Sequence, residues 1–260
     1  MSAFALGTTE LTRGIDAAVD ATTRLDARAI ELEGARDYLA GAPPHLDDAR
    51  PAVPAGAREA NGALLAALSA YAERLADLAD GSEAEISGEA AALLAGRLVG
   101  LTAAARLPKQ TTEQGIEAAS TLASALAEAW VGRTVAEIAA ELDPTIRAAV
   151  GALDTQLSEV SAVAADAAHE LRFNREQILI ELRDQSTQDG ADLLAAYDAA
   201  LRENELAEVN VALADARAAL GQLVTAHAAL AHPDPADAAA QAARLVALAR
   251  KIAPLVKTAS

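Results

Sequence analysis

From Ile146 to Leu230, apolar residues return every three or four positions with almost no break. The first run reads Ile146, Val150, Leu153, Leu157, Val160, Ala164, Ala167, Leu171, Asn174 and Ile178. The second reads Leu194, Tyr197, Leu201, then Leu206, Val209, Leu213, Ala216, Leu220, Leu223, His227 and Leu230. Alternating steps of 4 and 3 put these side chains on one stripe of an α-helix and favour a left-handed packed pair. Between the runs lies Ser186-Thr187-Gln188-Asp189-Gly190, a turn-forming stretch. The spacing predicts a long antiparallel helical hairpin over 143–231. Its first arm is opened by Asp143 as N-cap with Pro144 at the first helical position.

The same spacing recurs upstream. A first helix is predicted from about Thr9 to Ala40, with Leu11, Ile15, Ala18, Thr22, Leu25, Ala29 and Leu32 inward and Arg36 following on the same seam. Gly41-Ala42-Pro43-Pro44 stops it, and the prolines up to Pro54 mark a loop. A second helix over about 55–79 carries Leu64, Leu68, Tyr71, Leu75 and Leu78. A third, capped at Ser82 with Glu85, reaches about Arg106 and holds Gly96 and Gly100 four apart. Further helices are expected from Thr112 to Val131, from Thr134 to Leu142, and from Ala236 to Val256. Trp130 and Tyr71 fall on apolar seams and read as core. No segment alternates with period 2. The expectation is an all-α, elongated helical bundle built on the long hairpin, with about seven to eight helices and no sheet. Residues 1–132 would form or cover the bundle, and 143–260 would supply the hairpin and a last helix. A hinge is expected near 132–143, unless the whole forms one continuous domain.

Composition sharpens this. Alanine is roughly 28% of the chain, far above ordinary usage. It is the best helix former because it loses no side-chain entropy, and it lets helix axes approach closely. Aromatic residues are only 2%. The net charge of −17 repels phosphate backbones and anionic lipid, so neither nucleic acid nor a membrane surface is an expected partner. No cysteine is present, which excludes disulfides, thiolate catalysis and cysteine-held metals. No run of about 20 apolar residues occurs, so no transmembrane segment is expected. The N-terminus, Met1 to Gly7, lacks the basic and apolar regions of a signal peptide. As written it reads as cytoplasmic. A Met standing where an export signal or lipid-bearing Cys was removed would make the chain periplasmic or lipid-anchored.

Chemistry-bearing motifs are scarce. None of the four histidines completes the Glu-x-x-His of a di-metal carboxylate bundle. His227 and His232 straddle a helix end, which suits a core-edge residue and a loop residue better than a zinc pair. No phosphate loop, dinucleotide fingerprint or nucleophile elbow is found. No catalytic residue, cofactor or metal ligand is therefore assigned.

One anomaly remains. If the turn centres near Gln188-Asp189, Asn174 lies opposite about Glu203, at the level where the return seam skips from Leu201 to Leu206. His169, Arg172, Asn174, Arg175, Glu203, Asn204 and Glu205 then form a candidate polar layer across the hairpin. It would either fix register, as a core Asn does in coiled coils, or serve as an interaction site. The expected role is a non-catalytic helical scaffold or protein-interaction protein, of a kind found in bacterial envelopes. The partner would be a protein, and homo-oligomers could form through exposed helix seams. The alternatives are a ligand carrier or enzyme with an interhelical pocket, and a membrane-active toxin-like protein.

Overall fold

The computed structural model describes residues 1–42, 55–81, 109–127, 130, 132–185, 205–232 and 234–257. Six helices fill them: α1 (Ser2–Leu39), α2 (Ala55–Ala79), α3 (Lys109–Ala127), α4 (Val135–Gln185), α5 (Glu205–Leu230) and α6 (Pro235–Lys257). The chain is an all-α bundle with no strand among the described residues. The helix expected over 82–106 lies outside them. At 1.5 Å per residue, the 51 residues of α4 make a rod of about 77 Å.

α1, α4, α5 and α6 form an inner ring in which each packs against the next. α2 and α3 lie outside it as a pair, α2 on α1 and α3 on α4. Side-chain contacts give the directions. Asp154 pairs with Arg217 and Asp143 with His227, so α4 and α5 run antiparallel. A Cβ at Gly7 would meet Leu245, and one at Gly14 would meet Ile252, so α1 and α6 run parallel. Arg36 meets Asn174 at one end, and at the other Phe4 shares His227 with Asp143, so α1 and α4 are parallel too. Among the described residues, the buried apolar side chains of all six helices belong to one cluster, Ala229 alone excepted.

Three local findings differ from the sequence expectations. First, α1 begins at Ser2 rather than near Thr9. Phe4, only 1% exposed, anchors the added turns in the core. Second, no break occurs at Asp143: one helix runs from Val135 through Pro144. The N-cap is Thr134, whose Oγ1 accepts from the Glu137 amide (3.2 Å) while the Glu137 carboxylate accepts from the Thr134 amide (2.8 Å). This capping box starts the helix nine residues early. Pro144 is tolerated because it sits on an exposed face, where solvent can satisfy the carbonyl it leaves unbonded. Third, the register differs. The turn-centred reading sets Arg217 against about Val160, whereas its guanidinium grips Asp154 through Nε–Oδ1 (2.7 Å) and Nη2–Oδ2 (3.1 Å).

Candidate functional site

At one end of the bundle, two buried polar groups meet a half-buried carboxylate. Tyr71 of α2 places its hydroxyl 2.8 Å from Nε2 of His227 on α5. His227 Nδ1 lies 3.3 Å from Oδ1 of Asp143 on α4, and Arg147 Nε donates to the other carboxylate oxygen at 2.6 Å. His227 is fully buried and Tyr71 nearly so. Aromatic rings close around them. Phe4 lies 6.1 Å from the imidazole between centroids, and Trp130 meets Tyr71 edge-on at 6.2 Å. On its far side Trp130 carries the Arg74 guanidinium 4.2 Å above its ring.

Burial sets the protonation states. It raises the Tyr71 pKa, and the Asp143 charge adds to that, so the phenol stays protonated. It lowers the His227 pKa, and the pull of Asp143 only partly offsets the effect. Desolvation also acts to raise the Asp143 pKa. The hydrogen bonds from Arg147 and His227 more than offset it, and the carboxyl ends below its usual range. The result is a directed chain: Tyr71 O–H to Nε2, then Nδ1–H to an ionised Asp143. It has the groups of a proton relay, yet neither Tyr71 nor His227 is open to a substrate. No group of three metal-ligating side chains exists among the described residues.

The sequence-derived polar layer lies toward the other end. Asn174 is completely buried. Its Oδ1 accepts from Arg36 Nη1 at 2.7 Å, and its Nδ2 points at the Ala29 carbonyl at 3.5 Å. Both of these partners come from α1, not from the return arm of the hairpin. Arg36 is held in place by Asp37, which accepts from Nε at 3.0 Å and Nη2 at 2.7 Å. The guanidinium also lies 5.8 Å from the centre of the Phe173 ring. His169 and Arg172 are exposed, and Arg175 is half-buried. Glu203 and Asn204 lie outside the described residues, and Glu205 opens α5. A signal for the Arg36 contact was present: Arg36 and Asn174 are polar intruders on two otherwise apolar seams.

No protein-family model matches this chain. No curated protein and no solved structure matches it either. The contacts of Asn174 set the expected effect of Asn174→Leu. The substitution removes a buried amide but strips Arg36 of an acceptor while leaving Asp37 in place. If the layer serves only to fix register, melting should rise or stay within about 1 kcal/mol of the parent. A thermal unfolding curve checks this, and a loss well beyond that value would show that the Arg36–Asn174 bond itself holds α1 to α4.

Proposed function

We propose that the protein is a non-catalytic helical scaffold that engages a protein partner through the end of the bundle where α1 finishes. The observation that supports this is the distribution of its few aromatics. Phe4, Tyr71 and Trp130 are spent in the core at the opposite end. Tyr38 and Phe173, by contrast, are 61% and 43% exposed; Phe173 lies against the Arg36 guanidinium, and Tyr38 follows Arg36 by two residues near the end of α1. Ile180, further along α4, is exposed as well. An exposed Phe beside a pre-oriented Arg, with an exposed Tyr at the same end of the bundle, is the kind of side-chain set that interface centres favour. Part-buried hydrogen bonds to Asn174 and Asp37 hold Arg36 in one geometry, so little ordering entropy is lost when it binds.

The alternative of a ligand carrier has a place to reside. A groove of about 450 Å³ at the other end is lined by Phe4, Ala79, Val135, Leu230, Ala238 and Ala242, among others. Its walls are mostly apolar and bear no convergent set of polar groups, which is what a specific small-molecule site requires. For the toxin-like alternative, no described helix is long and apolar enough to cross a membrane.

The interaction reading is tested by site-specific photo-crosslinking in the native host. A benzophenone amino acid at Phe173 should trap a discrete heterologous or self adduct. The same probe at exposed Ser158, on the shaft of α4, should not. Adducts from Phe173 should fade when Tyr38→Ala or Arg36→Ala is added. Equal adducts from both positions, or none from either, would remove the support.

A further inference from the structure

The α2 and α5 backbones do not come together anywhere among the described residues, because α1 and α4 intervene. Tyr71 bridges that gap, and its hydroxyl ends on His227 at 2.8 Å. It therefore gives the outer α2–α3 pair a direct tie to α5, beside the packing of α2 on α1 and α3 on α4 and the Thr12–Ser69 hydrogen bond (2.9 Å) between α1 and α2. The direction of the bonds matters. An ionised carboxylate only accepts, so Nδ1 must carry a proton toward Asp143. In the neutral ring Nε2 is then an acceptor, and Tyr71 must be its donor. A second proton on the ring turns Nε2 into a donor. The phenol oxygen can accept it, but the phenol hydrogen then points into apolar surroundings formed by Phe4 and Trp130.

We propose that the Tyr71–His227–Asp143 chain is an acid-released latch, and that protonation of His227 loosens the α2–α3 cover from the inner four helices. The groups facing the imidazole are few. α2 brings Tyr71, α4 brings Asp143 with Arg147 behind it, and α1 brings the uncharged Phe4 ring. Gln222 meets Gln241, so the start of α6 lies nearest, and its charged groups, Asp237 and Asp234 just before it, are exposed, as are the cations Arg244, Arg250 and Lys251 further along. On α5 itself no other ionisable side chain lies between Arg217 and Leu230. Asp143 would welcome the charge, but it already accepts from Arg147, and burial opposes charging the ring. The sign follows. A histidine whose folded pKa lies below its ordinary value leaves the latch fully closed above about 6.5 and weakens it as pH falls through the folded pKa. The latch is independent of the protein-partner reading and stands or falls separately.

Two measurements on the intact chain decide it. Imidazole nitrogen NMR should show His227 as the Nδ1–H tautomer at pH 7, with a midpoint below the ordinary imidazole value of about 6.5. Amide exchange, corrected for intrinsic rates, should show protection in the α2 segment Ala63–Leu75 falling by up to about tenfold per pH unit between 6.5 and that midpoint. Protection in α6 should fall less. His227→Gln, which cannot titrate, should flatten the α2 response. An Nε2–H tautomer, a midpoint at or above the ordinary imidazole value of about 6.5, or pH-independent α2 protection would overturn the latch. So would an unchanged response in His227→Gln. Should that variant fail to fold, the pH dependence of α2 protection relative to α6 in the parent chain still decides between a latch and a purely structural contact.

Discussion

Gly14→Leu should destabilise the bundle by about 1–3 kcal/mol or somewhat more, the range for inserting bulk into a packed core. Even a Cβ at position 14 would sit 2.9 Å from Ile252 Cγ2 and 3.1 Å from its Cβ. Ile252 is fully buried and β-branched, so it has little freedom to yield. Gly7, seven residues earlier, is in the same position: its Cβ would lie 2.9 Å from Leu245 Cγ. Two glycines at this spacing are what let α1 and α6 run side by side at close range. Elsewhere the opposite result is expected. Gly151 and Gly221 are exposed helical positions with nothing within 4 Å of an added Cβ. Gly→Ala there should stabilise by about 0.5–1 kcal/mol through helix propensity alone. Denaturant melts of these single variants test the contrast. If Gly14→Leu matched Gly151→Ala in sign, the close α1–α6 approach would be wrong.

The larger loss is expected from Trp130→Ala, about 3–5 kcal/mol for an aromatic removed from a packed site. Trp130 is 5% exposed and does three jobs. Its indole Nε1–H donates to the Ala125 carbonyl at 2.9 Å, close to the C-terminus of α3. Its ring supports Arg74, whose guanidinium donates to the carbonyl of Leu126. A cation there also opposes the negative end of the helix dipole. Its edge packs on Tyr71 and so reaches the buried polar chain. Truncation would leave the last carbonyls of α3 short of donors and Arg74 without its platform. At about 2–4 °C per kcal/mol for a chain near this size, the melting temperature should fall by roughly 6–20 °C. Trp130→Phe keeps most of the burial but loses the indole donor, and should fall in between. A change of under about 1 kcal/mol for Trp130→Ala would show that the α3 end is held by other contacts.

Much of the fold was legible because helix periodicity is a local property. The seams Leu64–Leu68–Tyr71–Leu75 and Ile146–Val150–Leu153–Leu157 are buried where the spacing places them. The stops at Gly41 and Gly81 are real as well, since both glycines hold the left-handed backbone that ends a helix, with φ of +91° and +72°. Asp143 misled because an Asp-Pro pair fits a helix start and a tolerated interior proline equally well. What decides between them is the Thr134–Glu137 capping box upstream and the exposure of Pro144, and exposure is not a local quantity. The polar sites were half legible. Asn174 stood out as the polar intruder on its seam, whereas Tyr71 read as core, His227 as a core-edge residue, and Arg36 only as the residue that follows on the first seam. Their partners lie up to 156 residues away in sequence, as for Tyr71 and His227, and spacing within one helix carries no information about which neighbour it will face.

The sequence by itself determined that this chain forms long helices and which faces they bury. Those properties depend on contacts between residues three or four apart. Only the tertiary structure decided that α1 and α6 meet along two glycines, that Asn174 binds Arg36, and that Tyr71 crosses the ring to reach His227. Those contacts depend on the order, direction and axial offset of whole helices. Offset is set by the summed packing of many similar Ala and Leu side chains, which resemble one another too closely for any short stretch to specify it.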